Sequence, residues 1–223
     1  MIPLHDDNPR AMTPWVNFSL ITVNALVFLH EFRLDDAALN EFLQIYGAIP
    51  QHIVAGQTFL PLLTSMFLHG GIVHLLSNML YLYIFGDNIE GLMGHGRYLI
   101  FYLLCGFGAA ASHIFIDPMS QTPMVGASGA ISGVLGAYLL KFPRARVLIL
   151  FWVIIFINTV RVPALVVLGL WFVLQLTNGL ATLGLQTSGG VAWFAHIGGF
   201  VVGFLLVNIF QKRRRRQWEE EEW

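Results

Sequence analysis

A hydroxyl, an imidazole that could take its proton, and donors that could face an oxyanion are the groups a hydrolytic site needs. In this chain they stand as Ser128, within Val125-Gly126-Ala127-Ser128-Gly129-Ala130-Ile131-Ser132-Gly133, with His196, His74 and Asn78 elsewhere. Glycines flanking a serine remove the side chains that would block a peptide backbone from approaching the hydroxyl. The same run of Gly, Ala and Ser also suits tight helix packing in a membrane, so the stretch alone leaves both roles open. Serine attacks a carbonyl only when a base takes its proton, and a neutral imidazole can take it and later return it to the leaving amine. No carboxylate is expected at the same depth to orient that imidazole: Asp87 and Glu90 fall at the opposite end of their segment and Asp117 in a loop. Ser128 and His196 are therefore expected to act as a dyad. His74, Asn78 and the Ser128 N–H at a helix N-terminus are the candidate oxyanion donors.

Other proteolytic chemistries lack their residues. A zinc site would need HExxH on a helix, whereas His69 and His74 are five apart with no glutamate between them. An aspartyl site needs two intramembrane aspartates, and a Ser-Lys site needs a lysine on the side opposite Lys141. No metal and no organic cofactor is expected.

The elements that must carry these groups are apolar. Of 223 residues, 56% are hydrophobic and 11% charged, too few polar groups to cover a water-soluble surface, so the chain is expected to be an integral membrane protein. The single cysteine, Cys105, excludes an internal disulfide framework. Six apolar segments, about Trp15 to Phe32, Ile72 to Gly91, Tyr98 to Ile116, Val125 to Leu140, Pro163 to Leu183 and Val191 to Phe210, predict an all-α, polytopic six-helix bundle. Residues 1–14 are expected to form a short cytoplasmic tail, 15–210 the membrane core and 211–223 a charged cytoplasmic tail. Met1 to Pro14 lacks the basic start and cleavage site of a signal peptide, so the first segment is expected to stay as a span. With both termini inside, eleven of the twelve Lys and Arg residues fall on the inner side and only Arg33 outside. Val147 to Val160, fourteen apolar residues between basic clusters, is read as re-entrant or interfacial on that side. The half-apolar stretch from Arg33 to Leu68 predicts short helices at the outer interface. The run Arg213 to Glu222 reads as a cytoplasmic stop, with lipid headgroups as a further partner.

This topology places the polar residues together. His74 and Asn78 share one helix face at i and i+4 near the outer start of their span; Ser128 lies in the first turn of the fourth, and His196 roughly 8 Å into the sixth at 1.5 Å per residue. The fourth segment has sixteen residues, a reach of about 24 Å against a hydrocarbon core of about 30 Å, so its outer end should be sunken and reachable by water. Gly126, Gly129 and Gly133 on that segment and Gly199 and Gly203 on the sixth are expected to let the two backbones pack closely.

These residues resemble the rhomboid family of intramembrane serine proteases. Leu63-Thr64-Ser65-Met66-Phe67-Leu68-His69-Gly70-Gly71-Ile72-Val73-His74-Leu75-Leu76-Ser77-Asn78 is similar to its HxxxN region, Gly126-Ala127-Ser128-Gly129 to its GxSG motif, and Ala195-His196-Ile197-Gly198-Gly199 through Gly203 to its AHxxGxxxG motif. The resemblance implies a six-helix core that cleaves single-span membrane proteins in or beside their transmembrane segment, with no cofactor and no nucleic acid. Ser128, His196, His74 and Asn78 fall on the family's catalytic and oxyanion positions. A prokaryotic inner membrane is the expected location. The alternative is a non-catalytic, rhomboid-like chaperone that binds membrane clients. Two departures stand out. Ser132 occupies the position four after the serine where family members usually carry an aromatic residue against the histidine ring, which implies a different hold on His196. The Trp-Arg pair common in the first outer loop is absent between Arg33 and Leu68.

Overall fold

The computed structural model describes residues 2–153, 156–183 and 192–212. Long helices dominate: α1 (Trp15–Glu31), then short α2 (Asp36–Tyr46), α3 (Pro50–Val54) and α4 (Pro61–Thr64), followed by α5 (Ile72–Met93), α6 (His95–Ile116), α7 (Ser128–Lys141), α8 (Ala164–Thr182) and α9 (Trp193–Phe210). Among them α6, α8 and α9 are long and apolar enough to cross a membrane, and α5 joins them if paired with the Pro61–Phe67 segment bent against it by 92°. The helices α1 and α7 have 17 and 14 residues, so α7 reaches only about 21 Å.

The expectation of an all-α chain needs correction. Strands β1 (Ile2–Asp6), β2 (Arg146–Val153) and β3 (Phe156–Pro163) form an antiparallel sheet in that order. The segment read as re-entrant or interfacial is the β2 and β3 hairpin, registered from Arg146 opposite Pro163 to Val153 opposite Phe156. Val, Ile and Phe fit a pleated surface, and a short apolar run carries no period that separates strand from buried helix. Part of the presumed N-terminal tail is likewise β1, pairing Ile2 with Leu150 and Asp6 with Val147 across an irregularity between Pro3 and His5. The charged run at 213–223 lies outside the described residues.

Beside the sheet, buried polar groups are paired. The Glu90 carboxylate, wholly buried, accepts from the backbone N–H groups of Val16 (3.0 Å) and Asn17 (2.7 Å). It supplies from α5 the cap that Pro14 cannot give to the start of α1, where the free amides favour a negative charge. Arg10 donates to Asp87 at 2.7 Å, and Asn88 to Asp6 at 2.9 Å. Burial raises the Asp6 carboxyl above its usual range, with the Tyr138 hydroxyl opposing that shift. Gly94, at φ +80, turns the chain between α5 and α6.

At the centre, every residue of α7 from Ala130 to Tyr138 is buried. A helix apolar on all sides is a core helix, and this one is enclosed by α5, α6 and α9. Its glycines set the closest approach: a Cβ on Gly199 would collide with the Gly129 carbonyl, one on Gly203 with the Gly133 carbonyl, and one on Gly136 with the Phe200 carbonyl. Gly136 extends the expected stripe by one turn.

Gly203→Val should therefore lower the unfolding midpoint in detergent by about 2–12 °C, from about 1–3 kcal/mol of overpacking at roughly 2–4 °C per kcal/mol. Gly169→Ala on α8, where a Cβ meets nothing within 4 Å, should leave the midpoint unchanged or slightly higher. Equal midpoints for the two variants would contradict the close α7 and α9 contact.

Candidate active site

A cavity of about 1500 Å³ opens among α5, α7, α8, α9 and the end of α6, and Ser128, His196, His74 and Asn78 all line it. Three sequence-distant elements supply these four groups. Ser128 opens α7, so its N–H has no intrahelical acceptor. His196 lies in the first turn of α9, and its Nε2 is 2.7 Å from the Ser128 Oγ. The glycine contacts below this pair bring the two helix starts within reach of each other.

His74 and Asn78 project from the first two turns of α5. The Gly70 N–H points at His74 Nδ1 at 3.4 Å. A ring nitrogen that accepts leaves the proton on the other one, so His74 Nε2 is a donor. Asn78 is 6% exposed and its side-chain NH2 has no partner, although buried donors ordinarily find one. The site thus holds two donors with capacity to spare beside a serine hydroxyl.

Gly126, expected to serve helix packing, lies before α7 rather than in it. Its φ is +124, and its N–H donates to the Ser65 carbonyl at 2.8 Å. A side chain there would begin 2.9 Å from His74 Nε2 and 3.4 Å from Ser128 Oγ. The glycine keeps open the space between the hydroxyl and the His74 donor. Gly129 and Gly133 face Ala109 and Cys105 of α6 as well as α9.

Ser132 makes no hydrogen bond to the His196 ring. Its hydroxyl donates to the Ser128 carbonyl one turn back, at 2.6 Å. The ring is held from other directions: Gln175 Oε1 is 2.8 Å from His196 Nδ1, and the Trp171 and Trp193 rings lie 6.1 and 6.4 Å from it, tilted by 35° and edge-on at 89°. Gln175 and His113, which also lines the cavity with a buried, unpartnered Nδ1, belong to no motif quoted above. Their signal was polarity alone, since a polar side chain within an apolar helix is costly to bury without a purpose.

The Rhomboid domain family matches residues 56–213. RHOMBOID-like protein 4 of Arabidopsis thaliana is 35% identical over 178 residues, covering 79% of this chain and 40% of its own length. Rhomboid protease GluP of Bacillus subtilis is 33% identical over 193 residues, 86% of this chain and 34% of its own. Rhomboid protein 1, mitochondrial, of Saccharomyces cerevisiae is 26% identical over 186 residues, with 79% and 49% covered. The chain thus spans between 34% and 49% of the length of these relatives. They include plant, bacterial and mitochondrial proteins, so the likeness points to a membrane protein without selecting the expected prokaryotic inner membrane.

Gly126→Ala tests the open space. A methyl group between Ser128 Oγ and His74, on a backbone conformation that L-residues rarely adopt, should cut labelling by a fluorophosphonate serine probe by about 10²-fold. Labelling at the wild-type rate in folded protein would show that this volume is not used.

Proposed function

Because the chain belongs to the rhomboid family and is an integral membrane protein, we propose that it is an intramembrane serine endopeptidase acting on single-span membrane proteins. The observation that carries this proposal is the 2.7 Å approach of His196 Nε2 to Ser128 Oγ in a cavity that also holds the His74 and Asn78 donors.

The steps follow from that geometry. Ser128 Oγ attacks the scissile carbonyl carbon as its proton passes to His196 Nε2, and the carbonyl oxygen gains the negative charge. His74 Nε2–H, the Asn78 NH2 and the Ser128 N–H face that oxygen, aided by the positive end of the α7 dipole. When the tetrahedral intermediate collapses, the C–N bond breaks and the imidazolium returns its proton to the leaving amine. Water then attacks the acyl-serine, with His196 as base again, and releases the second product while restoring the hydroxyl. The short α7 supports access for that water, because Gly129 packs against Ala109 and α6 continues beyond that level to Ile116.

Substrate entry is proposed from the membrane, between α5 and α8. Both helices line the cavity, yet they make at most marginal contact with each other. Six crossings with both termini on the inner side complete the proposal. Alternating helix direction and the Lys and Arg distribution support it.

In proteoliposomes carrying a single-span substrate, Ser128→Ala and His196→Ala should abolish cleavage, while His74→Ala and Asn78→Ala should each lower turnover by roughly 10² to 10³. Cleavage by Ser128→Ala at the wild-type rate would overturn the proposal. Client capture without cleavage by the wild type would favour the non-catalytic chaperone.

A further inference from the structure

We propose that Gln175 is a further member of the site, a positioning residue that fixes the tautomer and plane of His196. This rests on the reading of Ser128 as nucleophile and His196 as base. An amide oxygen can only accept, so the 2.8 Å contact of Gln175 Oε1 with Nδ1 places the imidazole proton on Nδ1. Nε2 then presents its lone pair to the Ser128 hydroxyl, 2.7 Å away. The opposite tautomer would carry a proton on Nε2 and could not receive another. Gln175 is 7% exposed, so water competes little for this bond.

The fold around Gln175 is built to hold it there. Leu168, Phe172, Gln175 and Gly179 recur at spacings of three and four along α8, one face of a helix. That face lies antiparallel on α9: Phe172 stacks on Phe200 at 4.5 Å between centroids, Gln175 meets His196, and Gly179 admits Trp193 and Ile197 close to its backbone. Trp171, one turn before Gln175, covers the imidazole. In this chain α8 therefore supplies the hold that an aromatic residue at position 132 of α7 would give, and Ser132 is free to bond to its own helix.

A neutral amide also suits the surroundings. A carboxylate in its place would still accept from Nδ1 and would favour the protonated form of the imidazole beside it. The titratable groups that face His196 are His74 from α5 and His113 from α6; α7 presents Ser128 and Ser132, and α8 presents Gln175 and no charged side chain.

Cleavage and serine-probe labelling against pH, for wild type, Gln175→Met, Gln175→Glu and Ser128→Ala, test the assignment. Gln175→Met keeps the length and loses the acceptor, so kcat should fall by roughly 10-fold to 10²-fold with KM unchanged. Gln175→Glu keeps an acceptor and adds a countercharge for the imidazolium, so kcat should return to within a few-fold of wild type and the acid limb of the profile should move to higher pH. Wild-type kinetics for Gln175→Met would overturn the proposal. So would a loss in Gln175→Met that Gln175→Glu neither rescues nor accompanies with a shifted acid limb, the pattern of a packing role alone. If Gln175→Met does not fold, the acid limb of Gln175→Glu decides by itself. Activity retained by Ser128→Ala would remove the underlying reading, whereas an inactive Ser128→Ala beside a fully active Gln175→Met would remove only the role of Gln175.

Discussion

The carbonyl oxygens of Gly129 and Gly133 on α7 occupy the positions where side chains on Gly199 and Gly203 of α9 would begin. Between helices surrounded by lipid there is little hydrophobic drive to associate, because hydrocarbon chains are as apolar as leucine. What remains is dispersion, which falls steeply with separation, so bare backbone on both sides is what makes this pair adhere. That adhesion fixes the distance between the first turns of the two helices, and those turns carry Ser128 and His196. Even modest bulk in the stripe would act on the hydroxyl and the imidazole, within two turns of it, by prising their supports apart.

The two ends of the bundle treat polar groups in opposite ways. Beside the sheet, Glu90, Asp87, Arg10, Asn88 and Asp6 are joined into bonds that cap a helix and tie the N-terminal segment to α5. Around the cavity, buried polar atoms of Asn78 and His113 have no partner. In a folded protein such orphans are uncommon and call for a reason. The polar groups beside the sheet are thus bonded to one another, whereas Asn78 and His113 leave hydrogen-bonding capacity open to the cavity.

The parts of this arrangement that could be read from the chain were those with a chemical or periodic signature. Ser128 between glycines, the i and i+4 spacing of His74 and Asn78, and the depth shared with His196 converge on one cavity because each rests on residue type and helix geometry. The sheet was not legible, since a run such as Val147 to Phe151 has no polar beats to mark a period of two. Gly126 reads as one more small residue until its positive φ and its place between His74 and Ser128 are seen. Gln175 lacks a motif because its role depends on the register of α8 against α9, a property of two segments rather than of either.

The pairing of β1 with β2 has a counting consequence. Between these strands the chain runs through α1, α5, α6 and α7, yet the strands share backbone hydrogen bonds and so lie on one side of the bilayer. The number of crossings between them is therefore even. β1 precedes these helices and β2 follows them, so the sheet can close only where the intervening helices cross an even number of times. A helix left out of the membrane would strand the two segments on opposite sides. The small sheet is thus compatible only with an even number of crossings before α8, the helix that leads on to His196 in α9.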